Sequence, residues 1–165
     1  MLWWENLPRT SFGSKHMEER LAALILAGRK RATVWNGNDI NPTAPGMKWL
    51  VTVANVPVGV IETLEVGTCR FHEIDENFAY EEGEGDRGLT YWRAVHEDFF
   101  RKEGHFQKDM LLWWEKFKLI EVIDPELAAK APDHIALEEK EAQELLKSLT
   151  EEKIDNHEKF LNKYK

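Results

Sequence analysis

The sequence predicts an α+β fold: a small barrel or sheet of strands flanked by helices, followed by a C-terminal helical extension. Three observations carry this. Leu21, Leu24 and Ile25 recur at helical spacing within residues 17–27. Residues 47–54 and 58–66 alternate or run apolar, with Trp49, Val51 and Val53 on one face, as strands do. Beyond Asp124-Pro125, Leu145, Leu146, Leu149, Phe160, Leu161 and Tyr164 return to helical spacings amid Lys and Glu.

Taken in order, Phe12-Gly13-Ser14 leads into the first helix, and Gly28 stands where a left-handed cap would end it and deliver Lys30 to its mouth. Ala32, Thr33, Val34 and Trp35 read as a short strand. The stretch from Asn36-Gly37 through Pro42, Pro45 and Gly46 is turn-rich and suited to rim a pocket. Asn55-Val56-Pro57 suits a hairpin connection between the two apolar strands, and Cys69-Arg70-Phe71 suggests a further strand before an acidic loop. Residues 89–102 read as a helix burying Trp92, Val95, His96, Phe99 and Phe100. Residues 110–123 read as a long final strand, which sets the domain as 1–123. The extension, 124–165, holds amphipathic helices over 136–149 and 154–164, able to lie on the domain or to join two copies as a homo-oligomer.

Composition narrows the function. The chain has 165 residues and 42% hydrophobic content, enough for one compact domain with a core. The single Cys69 rules out an internal disulfide, and the six scattered histidines show no metal-ligand spacing, so neither a metal nor another cofactor is expected. No stretch is apolar for long enough to span a membrane, and the start shows no leader pattern; the expected setting is the reducing cytoplasm of a bacterium. Net charge is −8, with 15 basic and 19 acidic residues in 1–123 and 7 and 11 in 124–165. Long nucleic acids are held by basic excess, so DNA is not an expected partner and any RNA contact must be local, around Arg29, Lys30 and Arg31. This favours a small ligand.

Gly28-Arg29-Lys30-Arg31-Ala32-Thr33 pairs an amine with a hydroxyl, and Phe78-Ala79-Tyr80-Glu81-Glu82-Gly83-Glu84-Gly85-Asp86 supplies carboxylates from a distant loop. Together they can form a proton-relay site. Plainer roles compete. Lys30 can be a solvated cation at the carbonyl end of the first helix. Thr33 can be a strand residue chosen for its branched side chain. The acidic loop can face water, with Asp86 capping the next helix. His96 on an aromatic helix face reads as a hydrogen-bonded core histidine and is set outside the catalytic residues.

The segment Gly28-x-Lys30-x-x-Thr33, the strand ending Ile61-Glu62-Thr63, the Glu-Gly-Glu-Gly-Asp run and the following Trp92-x-x-x-His96 helix together resemble an ASCH domain across roughly residues 12–123. The resemblance implies a PUA-like fold, a small β-barrel flanked by helices, with the Gly-Lys-Thr segment lining a cleft suited to RNA or a nucleoside. Members of this family are associated with RNA binding, with hydrolysis of N4-acetylcytidine and with ribonuclease action, and fold does not choose among these. In the small amidohydrolase branch the motif lysine and threonine act with a later glutamate, which the Ala79-x-x-Glu82 spacing carries onto Lys30, Thr33 and Glu82. Trp35 departs from that branch, which has arginine there. The expected substrate-binding residues are Arg29, Arg31, Trp35, Tyr80, Glu84 and Asp86, with Trp35 or Tyr80 stacking on a base.

Overall fold

The computed structural model describes residues 1–163. After a two-residue strand β1 (Arg9–Thr10), helix α1 (Glu18–Leu26) leads to β2 (Ala32–Asn36), β3 (Lys48–Val53) and the long β4 (Val56–Arg70). A 3-10 turn (Phe71–Glu73) precedes α2 (Glu76–Glu82), α3 (Leu89–Lys102), β5 (Leu111–Val122) and α4 (Pro125–Lys163).

Local chemistry explains the joints. β3 and β4 meet at a two-residue turn in which Ala54 and Asn55 both adopt positive φ, 49° and 65°, the geometry that suits the right-handed twist of a hairpin. Asp75 caps α2, its Oδ1 accepting from Phe78 N–H at 2.8 Å, and Asp124 Oδ1 does the same for Glu126 and Leu127 at the start of α4. The strand expected around Cys69 is the end of β4, which pairs with β5 from Gly59↔Val122 to Arg70↔Leu111. Register shifts at Val60/Ile61 and Thr63/Glu65 let so long a ribbon bend.

The sheet has the order β1-β3-β4-β5-β2, with β1 parallel to β3 and the remaining pairs antiparallel. It does not close into the barrel expected from sequence. β1 ends at Thr10, too short to pair across to β2, and the two remain edges.

Each face of the sheet carries a core. On one, Ala22, Ala23, Ile25 and Leu26 of α1 pack with Val51, Val58, Ile61 and Phe117, and with Leu127 and Ala131 of α4. On the other, Phe71, Phe78, Ala79, Trp92 and Phe100 pack on Ala32 and Leu112. Of the aromatic face expected on α3, Trp92 and Phe100 are buried but Phe99 is exposed, rotated one position off the inward stripe and meeting Phe100 edge-on. The two C-terminal helices expected from sequence are one continuous helix, with Glu138 and Ala142 buried along it; the expected helical end at Tyr164 lies outside the described residues. No helix among the described residues is long and apolar enough to cross a membrane.

Candidate functional site

Gly28 takes φ +72° at the end of α1, and the N–H groups of Arg29 and Lys30 both turn back to Leu24 O, at 3.0 and 3.1 Å. The reversal drives Lys30 inward, to 2% exposure. Its ammonium donates to Ala32 O at 2.8 Å and Glu82 O at 3.5 Å. It also lies 3.7 Å from Glu82 Oε1 and 3.6 Å from Glu84 Oε1. A cation removed from water persists only with such partners, so Lys30 is not the solvated helix-end charge weighed from sequence.

The partners arrive from the end of α2. Glu82 is its last residue, and Gly83 follows at φ +75°. A Cβ on Gly83 would stand 2.2 Å from Arg29 O and 2.9 Å from Lys30 Cα, so only glycine lets the acidic loop approach the lysine strand this closely. Arg29 fastens the loop, donating to Gly83 O at 2.8 Å and Gly85 O at 2.7 Å while its guanidinium lies 3.2 Å from Glu139. Gly85 N–H donates to the buried Glu138 Oε1 at 3.1 Å, tying the loop to α4. Gly83→Ala is expected to lower stability by roughly 2–3 kcal/mol through backbone strain and overpacking, measured by urea unfolding.

Helix α3 completes the cluster. His96 stacks on Trp92 with centroids 4.2 Å apart, and Trp92 Nε1–H donates to Glu82 Oε2. His96 Nδ1 is 2.8 Å from Trp92 O, and its Nε2 is 3.2 Å from Glu82 Oε1. A carbonyl and a carboxylate both only accept, so both ring nitrogens carry protons and His96 is an imidazolium. Burial disfavours that charge, but the charge and hydrogen bond of Glu82, with help from Glu84 and Trp92 O, hold the His96 pKa above its ordinary value. Burial also opposes ionisation of Glu82, yet His96, Lys30 and the Trp92 hydrogen bond bring it below the usual carboxylate range. Glu84, where burial leads and the charges of Glu82 and Glu138 add to it, is held above that range.

Glu82, Glu84 and His96 offer ligand atoms within 4.8 Å of one another. A divalent ion there would have to displace the proton on His96 Nε2 and stand beside the Lys30 ammonium.

Beside this cluster is a cavity of about 470 Å³. Thr10, Phe12 and Gly13 line it from the β1 side and Thr33, Val34 and Trp35 from β2, so it fills the seam where a closed barrel would have paired those edges. Phe12 is the link to the charged cluster, its ring centroid 5.9 Å from Lys30 Nζ. Three of the cavity's lining residues, Trp49, Thr43 and Glu115, are joined through the buried Thr63 by a chain of hydrogen bonds: Trp49 Nε1 to Thr43 Oγ1 at 2.9 Å, Thr43 Oγ1 to Thr63 Oγ1 at 2.7 Å, and Thr63 Oγ1 to Glu115 Oε1 at 2.6 Å. Glu115 stands opposite Thr33 in the β2–β5 ladder. Burial raises its pKa above the usual value, against the opposing pull of Thr63 and Lys30.

A family model for the ASCH domain matches residues 8–121. The chain belongs to the ASCH domain family. That family is related to RNA binding. The structure is similar to that of an ASCH domain from Lactobacillus crispatus JV V101, at 31% identity and a TM-score of 0.63, covering 70% of this chain and 80% of that one. It is also similar to a protein from Enterococcus faecalis V583, at 26% identity and a TM-score of 0.64, covering 76% and 82%. Among curated proteins, none matches the chain.

In this ASCH domain the residues nominated from sequence fall into three groups. Lys30, Glu82 and Glu84 meet in the buried cluster, whereas Thr33 and Trp35 line the cavity. Among the described residues no hydrogen bond joins Thr33 to Lys30 or Glu82. The rest serve the loop or the surface. Arg29 is the clamp described above, and Arg31 pairs with Glu81 at 3.0 Å. Tyr80 is exposed beneath the Arg87 guanidinium, 3.6 Å from its ring centroid. Asp86 accepts from Gly88 N–H at 2.8 Å just before α3, a turn rather than the helix cap itself.

Two ionisable residues of the site, His96 and Glu115, were not nominated. His96 belongs to the charged cluster rather than to a neutral core. Glu115 carries a quieter signal: it shares strand parity with the buried Phe117, and a carboxylate at an inward position of an apolar strand is costly unless it has work to do.

Proposed function

We propose that the cavity receives one nucleobase, from a modified nucleoside or a splayed RNA strand, and that the protein hydrolyses the exocyclic amide of N4-acetylcytidine there. The observation that carries this is the composition of the seam: a volume of about 470 Å³ walled by Phe12, Trp35 and Trp49, with a threonine hydroxyl in its side and a buried Lys–Glu–His cluster behind Phe12. Aromatic faces bind bases by stacking worth roughly 1–3 kcal/mol each, without phosphate contacts. That suits a chain of net charge −8.

The chemistry follows by roles. Thr33 Oγ, or a water beside it, adds to the acetyl carbonyl carbon and releases its proton toward the Lys30–Glu82 pair. The C–N4 bond then breaks as N4 takes up a proton, freeing cytidine. Water cleaves any acetyl-threonine ester to acetate, so one water is consumed per amide.

Chromatographic turnover of N4-acetylcytidine is the test. Thr33→Ala, at a half-buried position, is expected to reduce turnover by about 10²-fold or more while leaving the unfolding midpoint nearly unchanged. EDTA is expected to have no effect. Absence of turnover by folded wild-type protein would remove the hydrolytic step. The missing hydrogen bond between Thr33 and Lys30 favours, in that event, a binding module for the same base. Weak salt dependence of binding would mark capture of an uncharged base, and a steep one would mark phosphate anchoring.

A further inference from the structure

We propose that Glu115 reads the amine edge of the bound base, making the cavity selective for cytosine-type heterocycles with an exocyclic N–H over uracil-type ones with a carbonyl there. This rests on the nucleobase reading above. Proton positions along the hydrogen-bond chain set the polarity. The indole nitrogen of Trp49 can only donate, so Thr43 Oγ1 accepts from it at 2.9 Å. The single hydroxyl proton of Thr63 goes to Glu115 Oε1 at 2.6 Å. The proton between Thr43 and Thr63, 2.7 Å apart, therefore belongs to Thr43. Every donor points toward Glu115, and Oε1 is held as an acceptor.

The second carboxylate oxygen has no hydrogen-bond partner among the described residues, and Glu115 lines the cavity. As a carboxylate it can only accept. It therefore complements the N4–H of a cytosine-type base, a pairing that carboxylates make elsewhere with this amine. Uracil would set its O4 carbonyl against the same oxygen, two acceptors facing each other at a carboxylate that is itself buried, where unpaired polar groups are costly. Stacking on Trp35 and Trp49 is indifferent to which base is present, and the unpartnered Trp35 Nε1–H can meet only an acceptor, so recognition of the amine falls to Glu115.

The chain of donors also dictates what Glu115→Gln does. Thr63 keeps donating to the residue's Oε1, which must be the amide oxygen, so the amide NH₂ is presented to the cavity and its polarity inverts. Binding is measured by titration calorimetry at mildly alkaline pH with cytidine, N4-acetylcytidine, uridine and N4,N4-dimethylcytidine, the last having no N4–H. Wild-type protein is expected to bind cytidine about tenfold to a hundredfold more tightly than uridine, with dimethylcytidine as weak as uridine. Glu115→Gln is expected to erase or reverse the cytidine preference. Equal wild-type affinity for cytidine and dimethylcytidine would overturn the assignment without recourse to any variant, as would a Glu115→Gln protein that keeps the wild-type preference. If the wild-type protein binds none of the four, the nucleobase reading fails and this assignment with it. Binding without discrimination defeats Glu115 alone.

Discussion

Lys30→Met is expected to lower the unfolding free energy by about 3–5 kcal/mol, read as a shift of the urea midpoint at constant slope. Methionine fills a similar volume, so little of the loss comes from a cavity. The cost is electrostatic. The ammonium is the donor to Ala32 O and sits within 4 Å of carboxylate oxygens on both Glu82 and Glu84. Without it, Glu82 retains His96 as its one cationic neighbour in the cluster, and Glu84 is driven further toward its protonated form. A surface lysine at a helix end would contribute about 0.3–1 kcal/mol, so a change below about 1 kcal/mol would show that Lys30 is not the buried counter-charge described above. Lys30→Arg is not expected to rescue stability, because the guanidinium is larger and Phe12 closes the space on one side.

Much of this architecture was legible from local chemistry. Gly28 announced its left-handed turn because a glycine after an apolar helical stretch has few other uses, and the position of Lys30 followed from it. Strands β3 and β5 were plain in their apolar runs. The continuity of α4 was harder to see. The helical pattern in the sequence breaks between residues 149 and 154, but Thr150 Oγ1 donates to Leu146 O at 3.0 Å and so satisfies its hydroxyl inside the helix. The openness of the sheet was not legible either, since closure depends on whether two edge strands are long enough to meet, and β1 pairs with β3 over only two residues. Site chemistry divides the same way. The Lys30–Glu82 pairing came from the family motif. The charge on His96 did not, because it depends on Trp92 O and Glu82 arriving at opposite sides of one ring. Spacing within a single helix cannot report a contact made with another.

The same ring predicts how stability varies with pH. Glu82 has a folded pKa below its ordinary 4.5, so its contribution is present above pH 4.5 and is lost as pH falls through the folded value. His96 has a folded pKa above its ordinary 6.5, so its contribution is present below pH 6.5 and is lost as pH rises through the folded value. Glu84, held above 4.5, adds to the loss as pH rises. Because Glu84 and the likewise raised Glu115 lose their contributions from pH 4.5 upward, the wild-type protein is expected to be most stable near pH 4.5 and to weaken above it, more steeply beyond pH 6.5, where His96 adds at most about 1.4 kcal/mol per pH unit. Glu82→Gln should cost about 3–5 kcal/mol near the optimum, because Lys30 and His96 are left facing an amide. It should also change the sign of the slope. With Glu82 neutral, burial outweighs the remaining pull of Glu84 on His96, its folded pKa falls below 6.5, and the folded state then prefers the neutral ring. Stability of the variant should rise as pH passes 6.5, where that of the wild type falls. Thermal unfolding midpoints of the two proteins across this range decide the matter: parallel profiles would mean that Glu82 does not govern the charge on His96.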